Sequence, residues 1–292
     1  MTSLARRRLA IGTLLLVSIA AGTVSDRPRV DPPIVLGGYR VLAADFHVHP
    51  AIVSSAAVTP WDLVIDAQRQ GLDAIAITPH NKVFPAPIGR WFSRSVGGPT
   101  VLVGEEVRAA GFHIIAVGIE QTVSPRQTAA AAIEDIHRQG GVAIAAHPVA
   151  EYWPAFDAAA MAALDGSEVM HPGALSAEGV RADFEAFYRR GRLTAIGSSD
   201  YHGLGRLGMC RTYVFATDTS AAAILDALRA GRTVVYGVDG RVYGDPALIS
   251  LAAGDARLRT RAAEPAAPAD AGALVWLSRI TGTLGLAAAA LL

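Results

Sequence analysis

Two histidines, His47 and His49, stand two apart at the end of an apolar run in ADFHVHP. On a strand, residues i and i+2 project from one face, so the two imidazoles can grip one cation side by side. Other histidines and two carboxylates also sit where apolar runs begin or end. His80 follows AIAITP, Glu106 ends VLVGEE, His113 opens a run after Gly111, His147 closes GVAIAAH, and Asp200 and His202 follow TAIGSS. Brought together, these groups would repel one another when charged and desolvate badly when neutral, unless cations organise them. Nitrogen and oxygen donors without thiolate suit Zn²⁺, Mn²⁺ or Fe²⁺. Cys210 is the single cysteine, which excludes an intrachain disulfide and a cysteine-rich zinc site. His137 lies within a helical pattern and reads as an ordinary residue, whereas His171, in EVMHP, could border the pocket.

Such a site needs a frame that gathers residues far apart in the chain. Apolar runs at 41–47, 74–78, 100–106, 112–118, 142–146, 167–170, 193–198, 212–215 and 233–236 read as strands. In TPWDLVIDAQRQG, Thr59 is an N-cap, Pro60 sits in the first turn, Asp62 lies near the positive helix end and Gly71 is a stop. Further helices are expected over 125–139, 177–190 and 220–230. This alternation predicts an α/β fold with a mainly parallel sheet, in one domain over 41–245. The carboxyl ends of parallel strands share one rim, and the chemistry-bearing residues fall there.

At 292 residues, with 51% hydrophobic and 18% charged residues, the chain can bury a large core. Lys plus Arg and Asp plus Glu both number 26, so no net field draws the protein to nucleic acid. An anionic substrate would need a local cation, for which Arg90, Arg94 and Arg108 are candidates. At the N-terminus, Arg6, Arg7 and Arg8 precede an apolar run over 9–22, the layout of an export signal or membrane anchor over 1–25, with a linker over 26–40. This predicts an exported domain, periplasmic or anchored facing the periplasm. A linker over 246–271, Pro/Ala-rich in AEPAAPADAGA, leads to an apolar segment, 272–292, about 30 Å long as a helix and interrupted by Arg279. A charge near mid-bilayer costs roughly 2.5–3.5 kcal/mol on insertion scales. A membrane helix and a partner-packed helix are therefore both open.

With these motifs in hand, residues 41 to about 236 resemble the polymerase and histidinol phosphatase (PHP) superfamily of metal-dependent phosphoesterases. DFHVHP, ITPHN, GEEV, AHP and GSSDYHG are similar to its five motifs, in the same order. The resemblance implies a distorted (β/α)7 barrel. It implies that His47, His49, Glu106 and Asp200 surround one divalent ion, and that Glu106, His113 and His147 hold a second, with Glu106 bridging. His80 and His202 correspond to positions that bind a third ion in some members and serve the leaving group in others. The short spacing from Glu106 to His113 is similar to a branch containing nucleotide phosphatases and carbamate hydrolases. Two departures stand out: Pro79 replaces the Asp usual before His80, and Ser54, Ser55 and Ala56 stand where a further ligand often lies.

The activity implied is phosphoester hydrolysis of a small molecule by a hydroxide bridging two ions, with Asp200 in the catalytic centre and His202 or His80 protonating the leaving oxygen. The alternatives are hydrolysis of a carbamate, amide or ester at the same site, or a membrane-tethered metal-binding module without catalysis. A substrate panel separates the first two, and metal analysis separates the third.

Overall fold

The computed structural model describes residues 2–56, 58–237, 240–264, 266–268, 270 and 272–292. A short β1 (Ile34–Leu36) precedes β2 (Tyr39–Val48), β3 (Ala74–Ile77), β4 (Thr100–Arg108), β5 (His113–Val117) and β6 (Val142–Ala145). Then come β7 (Gly166–Met170), β8 (Thr194–Gly197), β9 (Thr212–Ala216), β10 (Thr233–Tyr236) and β11 (Val242–Gly244). Each apolar run read as a strand forms one; β1 and β11 lacked the length to be read. The helices are α1 (Ser3–Ser25), α2 (Pro60–Arg69), α3 (Ala86–Val96), α4 (Ala129–Arg138), α5 (Ala158–Ala163) and α6 (Pro172–Ser176). They continue with α7 (Glu178–Tyr188), α8 (Ala221–Arg229), α9 (Pro246–Gly254), α10 (Ala256–Ala263) and α11 (Ala273–Ala290). Thr59 caps α2 as its sequence predicts, its Oγ1 accepting the Asp62 N–H at 3.1 Å.

The strands form one sheet in the order β11-β10-β9-β2-β3-β4-β5-β6-β7-β8, with β1 on β2. It curls into a nearly closed α/β barrel. The expectation of a mainly parallel sheet is corrected: only β2-β3-β4 and β6-β7-β8 run parallel, and the other described pairings are antiparallel. The physical reason is connection length. The turn around Gly111 between β4 and β5 is too short for a crossover, so these strands pair as a hairpin.

Two layers of apolar side chains result. Leu42, Ala44, Phe46, Leu102, Ile115, Ile144, Ile196 and Val214 cluster on one face of the strands, together with Ile224 and Leu228 of α8. Val41, Ala43, Ile75, Val101, Ile114 and Ala143 cluster on the other with Leu63, Phe92, Ile133 and Phe187 of the surrounding helices.

Where β8 meets β9 and β10, threonine hydroxyls replace a strand ladder. Thr212 Oγ1 accepts the Gly197 N–H and donates to Gly197 O, both at 2.9 Å, and Thr233 Oγ1 donates to Ala195 O at 2.8 Å. A Cβ on Gly197 would lie 2.5 Å from Cys210 O and 2.9 Å from Val235 Cγ1. Gly197→Ala is therefore expected to destabilise the fold by about 1–3 kcal/mol through overpacking. Chemical denaturation of both proteins measures this, and equal midpoints would show that the seam yields without cost.

The stretch 246–271, expected as a linker, instead carries α9 and α10, which place Ala252 and Leu258 in the core; Pro265, Ala269 and Ala271 of it lie outside the described residues. Part of 26–40, also expected as linker, forms β1 and the start of β2. The two apolar terminal helices pack antiparallel. Ser18 Oγ of α1 donates to Ser278 O of α11 at 2.6 Å, and Leu15 faces Gly285. Trp61 Nε1 of α2 donates to the same Ser18 Oγ at 3.0 Å, tying the pair to the barrel. By length and composition both helices could cross a membrane.

Candidate metal centre

β2 carries a bulge between Asp45 and Val48 in its pairing with β3. A bulge exchanges the faces that successive side chains address. Before it, Ala44 and Phe46 face the layer containing Leu102, and after it Val48 joins the opposite layer. His47 and His49 are thereby turned, both fully buried, toward the rim that Glu106 occupies. β7 bulges similarly between Glu168 and Met170.

Glu106, only 2% exposed, stands at the centre. Its Oε1 lies 2.8 Å from His113 Nδ1 and 3.2 Å from His147 Nε2. Its Oε2 lies 3.2 Å from His80 Nε2, 3.6 Å from His47 Nε2 and 3.7 Å from His49 Nε2. The two oxygens of one carboxylate thus address two separate groups of imidazoles. Asp200 closes the second group: its Oδ1 is 2.8 Å from His49 Nε2 and 3.5 Å from His47 Nε2. His202 stacks on His49 with ring centroids 4.2 Å apart. All eight sequence-predicted site residues meet on one rim.

The donor set fits divalent cations. His47 Nε2, His49 Nε2 and His113 Nδ1 are buried and make no hydrogen bond, although carboxylate oxygens lie nearby. An unpaired buried polar atom costs about 1–3 kcal/mol, which a cation accepting the ring lone pair removes. Donor atoms of His47, His49 and Asp200 lie within 4.8 Å of one another, as do those of His47, Glu106 and His147, and those of His49, His80 and His202.

Protonation favours the same reading. Burial pushes His49 down to about 3, so the ring keeps its lone pairs. Burial opposes the charge on Glu106, yet His113, His147, His47 and His80 hold its carboxyl well below the usual range. Asp200 is lowered in the same way: burial opposes, and His47, His171 and His49 prevail. His47 is raised well above its ordinary value because Asp200, Glu168 and Glu106 outweigh its burial. Carboxylates that favour a proton on this ring favour a metal ion in its place.

Glu168 and His171 supply support that sequence reasoning missed or left open. Glu168 is fully buried; its Oε1 lies 3.0 Å from His47 Nδ1, and its Oε2 accepts the His147 N–H at 2.5 Å. A carboxylate can only accept from a neutral ring, so His47 carries its proton on Nδ1 and turns the Nε2 lone pair to the centre. His171 Nδ1 accepts the Gly173 N–H at 3.0 Å, and its Nε2 lies 3.4 Å from Asp200 Oδ2. His171 Nε2 is buried beside Asp200 without a hydrogen bond, and the ring lies within reach of His47 and Glu168 as a further nitrogen donor. The one available signal was a lone Glu inside the apolar run GSEVM. His137 is elsewhere, bonded to Asp165 at 2.7 Å.

The two departures find local compensation. Glu106 N–H donates to Pro79 O at 3.0 Å and Asn81 N–H to Glu106 O at 2.9 Å, so backbone pairing holds the His80 loop. Ser54 Oγ accepts the His80 N–H at 3.2 Å and lies 3.3 Å from His49 Nδ1. Among the candidate arginines, Arg108 is at the rim, its Nη1 3.2 Å from His80 Nδ1. Arg90 pairs with Glu120, Nη2 to Oε2 at 3.1 Å, and lines with Arg94 a cavity of about 430 Å³ at the far end of β4.

Parts of the chain are similar to known proteins. An uncharacterized protein of Methanocaldococcus jannaschii is 26% identical over 121 residues, 37% of this chain and 68% of that one. The structure of a two-domain protein from Bacteroides vulgatus, described as containing a predicted PHP-like metal-dependent phosphoesterase, superposes with a TM-score of 0.59 at 24% identity. That likeness, one of fold, covers 73% of this chain and 69% of the other. The PHP-associated family matches residues 184–233, the segment that carries Asp200 and His202. With five ordered motifs converging on one rim of the barrel and that match over its last part, the chain is similar to the PHP superfamily in fold and in the arrangement of its site residues.

Proposed function

We propose that the protein is a divalent-metal-dependent phosphoesterase that hydrolyses small phosphate esters at a membrane face. The observation that carries this reading is the division of imidazoles between the two oxygens of Glu106. Glu106, His113 and His147 would hold one ion, and Glu106, His47, His49 and Asp200 another. Zn²⁺, Mn²⁺ or Fe²⁺ bound there would supply a water-derived nucleophile at neutral pH and Lewis acidity at phosphorus.

The chain's own groups do the rest. Arg108 can take a nonbridging phosphate oxygen, and its guanidinium favours an anionic ester over a neutral carbamate. His202 would pass a proton to the leaving oxygen through Nε2, because the 2.8 Å contact of its Nδ1 with Asp200 O fixes the ring with Nε2 on the opposite side. The outward apolar side chains of α1 and α11, among them Leu9, Leu16, Leu277, Ile280 and Leu284, support membrane association of an exported domain. Because Ser18 joins Trp61 and Ser278, α1 is read as a retained anchor.

Purified full-length protein reconstituted with each metal should hydrolyse aryl phosphates far faster than aryl carbamates. The opposite preference would move the reading to carbonyl substrates, and absence of both metal uptake and turnover would leave a binding module. Arg108→Ala should lower kcat/KM for phosphate esters about 10- to 100-fold, the loss of one or two charge-assisted hydrogen bonds. An unchanged KM and kcat would remove Arg108 from the site.

A further inference from the structure

Arg279 interrupts the apolar α11, yet it is only 2% exposed. Its guanidinium grips three groups of the barrel at once. Nη2 donates to Asp66 Oδ2 of α2 at 2.7 Å and to Tyr201 OH at 3.3 Å, while Nη1 donates to Gly203 O at 2.6 Å. Tyr201 OH in turn donates to the same Asp66 oxygen at 3.0 Å.

Tyr201 and Gly203 belong to the loop that carries Asp200 and His202. The backbone of Tyr201 is pinned to the histidine strand: His49 N–H donates to Tyr201 O at 2.8 Å, and Tyr201 N–H to His47 O at 3.3 Å. Asp200 itself has a φ of 48°, in the left-handed region that a non-glycine residue holds only when its surroundings fix it. The surroundings are visible on both sides of it. Asp45 accepts the Ser199 N–H at 3.1 Å and the Gly208 N–H at 2.9 Å, and Arg279 holds Tyr201 and Gly203.

We infer that Arg279 is a positioning residue for the Asp200 side of the metal centre, so that the apolar terminal helix pair is a built-in part of the site. The inference rests on the metal-centre reading above. α1 holds α11 in register through Ser18 and Ser278, and α11 delivers the guanidinium to the motif loop. The planar fork of Arg suits this task because it reaches a carboxylate and a carbonyl together; a Lys presents one compact charge. Detachment of α11 from α2 would then loosen Asp200 and His202 while leaving Glu106, His113 and His147 in place. The other buried carboxylate at the junction, Asp62, takes Ser278 Oγ at 2.7 Å and stays with the helix pair.

The test uses the full chain in lipid nanodiscs. Arg279→Met combined with Asp66→Asn removes the clamp without stranding a buried charge, and Arg279→Lys keeps the charge but loses the fork. Leu277→Ala, exposed on the same helix, is the control. Mn²⁺ titration by calorimetry is expected to show one class of sites weakened about 10- to 100-fold and another unchanged in the double variant, the range typical of lost support around a metal ligand. Hydrogen exchange should rise at 200–204 and stay unchanged in α4. kcat should fall with KM preserved, and Arg279→Lys should lie between. Wild-type affinity and wild-type exchange in the double variant would overturn the inference; if that variant does not fold, the same two results in Arg279→Lys would do so. A wild-type chain that takes up no Mn²⁺ would instead sink the metal-centre reading, with exchange at 200–204 still reporting on the clamp.

Discussion

Glu106→Gln is expected to abolish metal retention on both sides of the centre and turnover with it. The substitution keeps size and shape, so the buried cavity for the side chain is preserved. What it removes is the charge that five imidazoles face, His113 and His147 on one oxygen and His80, His47 and His49 on the other. An amide also puts an NH₂ donor where a cation must sit. Leaving buried charge uncompensated costs about 3–5 kcal/mol. This corresponds to roughly two to four orders of magnitude in metal affinity. Elemental analysis and kcat/KM measured on one preparation check the coupling, and His137→Ala, away from the rim, should leave both intact. Retention of full metal content and full activity in Glu106→Gln would end the bridging model.

His202→Ala should behave differently. The His202 side chain is 30% exposed where His47 and His49 are fully buried, which suits a group that meets substrate. Its Nδ1 lies 2.8 Å from Asp200 O, which fixes the ring at the mouth of the site. The expected result is loss of turnover by roughly 10²- to 10⁴-fold with two ions retained. Aryl phosphates, whose leaving groups need no proton, should lose much less than alkyl phosphates. The competing result is equally readable: His202 also lies with His49 and His80 in a potential cation cluster. Loss of one equivalent of metal on His202→Ala would assign it to a third ion and remove the acid role.

The amino-acid sequence by itself determined the strand runs and the polar residues that end them. Short apolar runs bounded by turn residues read as buried strands, and a histidine that closes such a run falls at a strand end. The joining of Glu106 with His113 was implied only by the family resemblance, and the hairpin that the short turn at Gly111 forces went unread because a parallel sheet was expected. Strand direction across the whole sheet was not legible, because apolar periodicity is blind to what a strand pairs with. Nor were the bulges at Asp45/Val48 and Glu168/Met170, which depend on a partner strand and decide which face His47, His49 and Glu168 address. Glu168 stayed hidden inside an apolar run because its partners, His47 and the backbone of His147, are distant in the chain. Arg279 marks the limit most clearly. In sequence it is a costly charge in an apolar helix, and only packing supplies Asp66, Tyr201 and Gly203, the groups that make its burial favourable.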